Sequence, residues 1–203
     1  MPDGDVLYGM AQLDEAISQG DLWVSSPNSG LFDPWEYPFS ELVMVLQLAQ
    51  GRGVLLHAAA LVDSGEAVLF VGESGAGKST MTRLWAGSGA RFLSDDRAIV
   101  RKWGSVYWTY GTPWHGDAGV ASPGKAPLGK LLFLRKATRH AARPLASRDA
   151  LARLLVNCFP TFWDREGMAF TLGFLAEMVE SVPCYELEFA RDAGVIEVIR
   201  GIG

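Results

Sequence analysis

The chain has 203 residues, of which 49% are apolar, and it carries a net charge of −5 with a pI of about 5.2. This composition supports one sizeable core and excludes disorder as the main state. The acidic balance predicts that neither nucleic acid nor an anionic membrane is a partner. No apolar stretch reaches the roughly 18 residues that span a bilayer. The first residues, MPDGDVLYGM, lack the basic start of a signal peptide. We therefore expect a cytoplasmic protein.

The N-terminal part, residues 1–45, is predicted to form an arm that packs on a main domain at 46–203. Within it, SSPNSGLFDPWEYPFS is rich in proline and turn formers, which indicates turns and short extended pieces. The aromatic residues Trp35, Tyr37 and Phe39 alternate along this stretch. Ser40 is predicted to cap a short helix over ELVMVLQLAQ.

From residue 54 onward, strand and helix patterns alternate. VLLHAAALVD, AVLFVG, RFLSDD, KLLFLRKA and CYELEF are predicted strands, and AIVRKWGSVYWTYG is a predicted hairpin. KSTMTRLWAG and residues 167–181 are predicted helices, and Ser147 is predicted to cap a helix over RDALARLLVNCF. The last segment, AGVIEVIRGIG, fits either a helix or a strand.

The segment AVLFVGESGAGKST carries the pattern G-x-x-x-x-G-K-S/T between a predicted strand and a predicted helix. Glycines let consecutive backbone N–H groups point into one concavity, and a lysine there reaches the β- and γ-phosphates of a nucleotide. The serine after that lysine is a magnesium ligand in such loops. A chance glycine turn before a helix is the alternative. The predicted nucleotide-binding residues are Gly72, Glu73, Ser74, Gly75, Ala76, Gly77, Lys78, Ser79 and Thr80.

Two acids, Asp95 and Asp96, follow the strand that comes after this helix. Strand ends on that side of a parallel sheet border the ligand crevice. One carboxylate can bind Mg²⁺, and the other can take a proton from an attacking hydroxyl. A solvated turn is the alternative. His57 lies in an apolar run, where histidine is more often a core residue. Its strand is nevertheless expected beside the strand that precedes the G-x-x-x-x-G-K-S/T loop at residues 72–79, which is called the P-loop below after this sequence pattern.

The set LLHAAAL, GESGAGKST and FLSDD resembles the catalytic domain of HPr kinase/phosphorylase and its stand-alone HPr-kinase-like relatives. The fold is related to that of the ATP-dependent phosphoenolpyruvate carboxykinases. The resemblance implies an α/β P-loop kinase domain with a mixed central sheet flanked by helices. It implies that Asp96 is the proton acceptor, with His57 as its neighbour. Lys78 is then assigned to the phosphates and Ser79 to Mg²⁺.

A second match is GTPWHGD, which is similar to a loop of the same family. There the resemblance implies that Asp117 is a further metal ligand, so that Ser79, Asp95 and Asp117 form the expected metal set. A turn with polar tips is the alternative.

The resemblance implies an ATP- and Mg-dependent kinase that phosphorylates a Ser/Thr hydroxyl of a protein or peptide, for example a ribosomally made peptide. The arginine-rich C-terminal signature of the full HPr enzyme is absent after residue 135, so the stand-alone relatives are the better match. A small-molecule kinase of this fold and a nucleotide-binding switch without phosphotransfer remain alternatives. Because the family often forms hexamers, a homo-oligomer is a further expectation.

The segment LRKATRHAAR holds a basic cluster. It fits a solvated loop, or a loop that contacts ATP phosphates or an acidic substrate and supplies charge to the transition state.

Overall fold

The structure is a computed structural model that describes residues 9–24, 35 and 38–202. The strands in this part of the chain are β1 Gly9–Leu13, β2 Gly20–Val24, β3 Val54–Asp63, β4 Glu66–Val71, β5 Arg91–Ser94, β6 Arg97–Trp103, β7 Val106–Tyr110, β8 Lys125–Lys136, β9 Ala141–Pro144 and β10 Cys184–Phe189. The helices are α1 Phe39–Ala49, α2 Lys78–Leu84, α3 Ser147–Val156, α4 Arg165–Ser181 and α5 Gly194–Arg200.

The main sheet contains eight strands in the order β4-β3-β6-β7-β8-β10-β9, with β5 paired to β3. Its path closes on itself because β8 also pairs with β4. Strands β4, β8 and β10 run parallel to one another, whereas β3 runs antiparallel to β4. The sheet is therefore mixed, as predicted.

Helices cover both faces of this sheet because its central strands are apolar on both sides. On β3, Ala58 and Ala60 belong to a core that includes Leu154 of α3 and Met178 of α4. The intervening Ala59 and Leu61 belong to the opposite core. That second core contains Met81 of α2 and Trp85, which directly follows α2, together with Val195, Ile196 and Ile199 of α5. Alternation along a strand sends successive side chains to opposite faces, so one strand serves two cores. The predicted α/β architecture with a central mixed sheet flanked by helices is confirmed.

The strand over 54–63 and the hairpin of β6 and β7 match their predictions. Two predicted caps were wrong. Ser40 lies inside α1, and the Ser147 hydroxyl donates to the carbonyl of Val179 at 3.3 Å instead of capping α3. A contact with a neighbouring element replaced the local cap in the second case. The C-terminal segment AGVIEVIRGIG, which fitted either a helix or a strand, contains the helix α5, whose Val195 and Ile199 are buried.

The hairpin of β1 and β2 was not predicted, and it lies against α1. Gln47 Nε2 donates to the carbonyl of Ile17 at 2.7 Å, and Gln50 Nε2 donates to that of Glu15 at 2.8 Å. Tyr37 and most of the proline-rich stretch fall outside the described residues, so the division into an arm at 1–45 and a domain at 46–203 stays a prediction. Among the described residues, no helix combines the length and apolarity needed to cross a membrane.

Candidate active site

One edge of the main sheet gathers the residues that the sequence singled out. The P-loop leaves β4 at Val71, whose partner on the antiparallel β3 is Ala58, so His57 lies next to the start of the loop. His57 in turn pairs with Arg97 of β6. Asp95 and Asp96 form the turn between β5 and β6. The antiparallel pairing thus carries the beginning of β3 and the acidic pair to the edge where β4 ends.

The P-loop has a backbone that only glycine accommodates at Gly77. Its φ is +113°, and a Cβ built there would lie 2.6 Å from Cζ of the buried Phe189. Gly75 also has a left-handed φ of +80°, but open space surrounds it. A Cβ on Gly72 would lie 2.6 Å from Cβ of Ala76, across the two ends of the loop. The second half of the loop is therefore held tightly against the end of β10.

The ammonium group of Lys78 is buried inside the loop that it closes. It donates to the carbonyls of Gly72 at 2.6 Å and Glu73 at 3.2 Å, and it lies 2.8 Å from Nε2 of His57. Burial lowers the pKa of Lys78 to about 8, so the group is mainly protonated at neutral pH. All three of its donors have partners in the protein.

His57 links the lysine to the acidic pair. Its Nε2 faces an ammonium, which only donates, so Nε2 accepts and the ring proton belongs on Nδ1. Nδ1 lies 3.2 Å from Oδ1 of Asp96. Burial, followed by the charges of Lys78 and Arg97, lowers the pKa of His57 to about 4, against a smaller opposing effect of Glu41. The imidazole is therefore neutral at pH 7, and its contact with Asp96 is a polar contact of a neutral ring with a carboxylate rather than an ion pair.

Asp96 is held from its other side by Arg97. Its Oδ2 forms a close ion pair with Nη1 of Arg97, and Nε of Arg97 lies 3.0 Å from Oε2 of the buried Glu41 on α1. The Arg97–Glu41 contact is an ion pair without the alignment of a hydrogen bond. The Arg97 guanidinium also lies 5.2 Å above the ring of Phe159. A continuous series of charged and polar groups thus runs from α1 to the P-loop lysine.

The second acid, Asp95, is fully buried and anchors the loop that carries the GTPWHGD motif. Its two oxygens accept from the backbone N–H groups of Gly116 at 2.8 Å and Ala118 at 2.7 Å. Asp117 lies between these two residues and is exposed. The loop therefore brings Asp117 to the edge that holds the P-loop. The metal-binding roles of Asp95 and Asp117 stay predictions.

A cavity of about 380 Å³ joins these groups. It is lined by His57, Ser74, Gly75, Gly77, Lys78, Ser79, Thr80, Arg83, Asp95, Asp96, Gly116, Asp117 and Lys136. All of the predicted catalytic and metal-binding residues line it, as do six of the nine predicted nucleotide-binding residues. The remaining three, Gly72, Glu73 and Ala76, border a second cavity of about 660 Å³ on the other side of the loop, which Ser74 and Gly75 also line.

The described residues contain no cluster of three or more His, Cys, Asp or Glu that could hold a metal alone. This donor set fits Mg²⁺, which is usually bound through one or two carboxylates together with substrate phosphates. Ser79, Asp95 and Asp117 supply a hydroxyl and two carboxylates to one cavity.

Sequence reasoning missed Arg97, Glu41, Arg83 and Phe189. Arg97 directly follows the acidic pair, and it was assigned no role although the two acids beside it were. Glu41 and Phe189 are distant in sequence, and only the tertiary fold brings them to the site.

No family model matches the chain, and no curated protein matches it either. Among solved structures, the Hpr(Ser) kinase/phosphatase from Coxiella burnetii is similar to this chain, with 11% identity and a TM-score of 0.41. The match covers 72% of this chain and 93% of that one.

Proposed function

We propose that this protein is an ATP- and Mg-dependent phosphotransferase that moves the γ-phosphoryl group to a Ser/Thr hydroxyl of a protein or peptide. The observation that carries the proposal is the Lys78–His57–Asp96 series beside a P-loop, within one cavity. A phosphate-binding cation and a carboxylate are thus linked through one neutral imidazole. This proposal includes membership of the HPr-kinase-like P-loop class.

Lys78 supplies positive charge to the phosphates. In the structure its three donors point at Gly72, Glu73 and His57. A nucleotide phosphate would replace protein acceptors around the same ammonium, so little rearrangement is needed. Because the group is desolvated, its attraction for a developing negative charge is stronger than it would be in water.

Asp96 orients the acceptor hydroxyl and receives its proton. Its two oxygens already contact His57 and Arg97, which fixes the direction of the carboxylate. A carboxylate held in a fixed direction suits phosphoryl transfer, in which orientation of the nucleophile contributes more than strong proton abstraction, since the transition state is loose.

Bound Mg²⁺ would neutralise charge on the β- and γ-phosphates, and Ser79 with Asp95 or Asp117 would hold it. The Ser79 hydroxyl lies at the first turn of α2 and faces the same cavity as both acids. Ser79→Ala should therefore weaken the magnesium-dependent part of nucleotide binding.

The experiment is labelling of a Ser/Thr peptide array with γ-labelled ATP and Mg²⁺. The wild type should transfer label to a subset of peptides, and Lys78→Ala, checked for folding by circular dichroism, should transfer none. Nucleotide binding by the wild type without label on any peptide, protein or small-molecule hydroxyl would favour a nucleotide-binding switch.

A further inference from the structure

In the 380 Å³ cavity, acidic and basic side chains lie on opposite sides of the P-loop strand β4. Asp95 and Asp96 follow β5, which lies beyond β3 on one side of the P-loop strand β4. Lys136 ends β8, which lies on the other side of β4. Both sides line the same cavity, together with Arg83 of α2. An anion held by the P-loop therefore has acids on one flank and Lys136 on the other.

Lys136 differs from the other cations of its segment, which are neutralised by β10. Arg135 lies 3.5 Å from Glu186 and 3.3 Å from Glu188, and Arg139 and Arg143 each lie 3.9 Å from Glu188. Arg135 and Lys136 are consecutive strand residues, so their side chains leave on opposite faces. The arginines of this basic cluster thus form ion pairs with β10, and within the cluster only Lys136 lines the cavity.

No carboxylate of the described residues lies within ion-pair distance of Lys136 or Arg83. Both side chains are also exposed, so a ligand from solution can reach them. Two cations that line a cavity without an acidic partner are available to an anionic ligand.

The position of Lys136 along the sheet matches the second half of the P-loop. Lys136 pairs with Phe189 of β10, and Phe189 is the residue that a Cβ on Gly77 would strike. Arg83 follows Ser79 by one helical turn, so both lie on one face of α2. The backbone N–H groups of such a loop, that of Gly77 among them, bind the α- and β-phosphates, which are not the group transferred.

We propose that Lys136 and Arg83 form a cationic subsite for the phosphates that are not transferred. This inference rests on the proposed function. In the transfer, the bond from the γ-phosphorus to the β–γ bridging oxygen breaks, and a bond to the acceptor oxygen forms. The acceptor proton passes to Asp96, and the electron pair of the broken bond stays on the departing diphosphate. Lys136 and Arg83 stabilise that added charge, while Lys78 stabilises the charge on the transferred γ-phosphoryl group.

The test is calorimetric titration of the intact protein with MgATP and with inorganic pyrophosphate. Lys136→Met and Arg83→Met should each weaken both ligands about tenfold or more, as expected for loss of a charged contact. Lys136→Arg should restore much of the affinity. Arg135→Met is the matched control, because it removes the same charge from the adjacent residue on the other strand face, and it should bind within about twofold of the wild type.

The outcomes separate this subsite from the proposed function. If Lys136→Met and Arg83→Met bind both ligands as the wild type does, while Lys78→Ala does not, the subsite is wrong and the P-loop assignment stands. Equal weakening by Arg135→Met would also overturn the subsite, because it would indicate a general field effect. A wild type that binds neither MgATP nor pyrophosphate overturns both.

Discussion

Lys78 and His57 meet with Nζ and Nε2 2.8 Å apart, although they are separated by 21 residues. The antiparallel pairing of β3 with β4 makes this contact possible, because it sets the beginning of β3 beside the end of β4. A neutral histidine is needed for it, since a protonated imidazole would repel the ammonium. The low pKa of His57 is thus a requirement of the site geometry.

The first prediction concerns this neutral state. The folded-state pKa of His57, about 4, lies below the ordinary 6.5, so the unfolded chain binds more protons between those values. Its contribution to stability is therefore complete above pH 6.5 and is lost as pH falls towards 4. Urea unfolding at pH 7 and pH 4.5 should show a larger drop for the wild type than for His57→Gln, whose amide can accept from Lys78 and donate to Asp96 without titrating. If the wild type and His57→Gln lose the same stability between pH 7 and pH 4.5, the neutral state assigned to His57 is wrong.

Arg97 is predicted to stabilise the fold as well as the site. Arg97→Met leaves Asp96 and the buried Glu41 without their cation, and breaking such a pair should lower the free energy of unfolding by about 3 kcal/mol. Adding Glu41→Gln should recover part of that loss, since it removes one uncompensated charge. Lys102→Met, which breaks the exposed pair with Glu177, is the control and should change stability much less. If Arg97→Met and Lys102→Met lower the free energy of unfolding equally, the buried network of Arg97 with Asp96 and Glu41 does not stabilise the fold.

Gly77 is predicted to be irreplaceable for two separate reasons. Gly77→Ala adds a strained φ of +113° and a clash with the Phe189 ring. Gly75→Ala adds strain alone, because nothing surrounds that position. Melting temperature and MgATP affinity should fall more for Gly77→Ala, and Phe189→Leu in the same chain should relieve part of the difference. If both alanine variants behave alike, the tight contact with β10 is not what shapes the loop.

Asp95 is predicted to stabilise the fold even when no metal ion is bound. An asparagine has one acceptor oxygen where the carboxylate has two, so Asp95→Asn should release one of the N–H groups of Gly116 and Ala118. The variant should unfold more easily without Mg²⁺ present. Asp117→Asn, whose side chain is exposed, should lose magnesium-dependent nucleotide affinity at unchanged stability. Wild-type stability of Asp95→Asn without metal would leave only the ligand role for this residue.

The sequence predicted the parts of the fold and site that depend on local patterns. Continuous apolar runs indicated β3 and β4, and the P-loop glycines indicated the turn between β4 and α2. The Arg97–Glu41 pair joins residues far apart in the chain, and no local pattern reports such a contact. Ser147 failed as a cap because Val179 offered its hydroxyl an acceptor on another helix. Lys136 was seen as one of a basic cluster, and only the strand alternation of β8 separates it from its paired neighbours.

The most direct test of the central claim compares Asp96→Asn with the wild type for both MgATP affinity and phosphoryl transfer. Transfer is followed to a peptide from the array, and to water as the slow background acceptor. A group that acts on the attacking hydroxyl affects the transition state and not ground-state binding. Asp96→Asn should therefore bind MgATP as the wild type does and transfer phosphate about 100-fold or more slowly. Transfer at the wild-type rate by a folded Asp96→Asn protein would contradict the account.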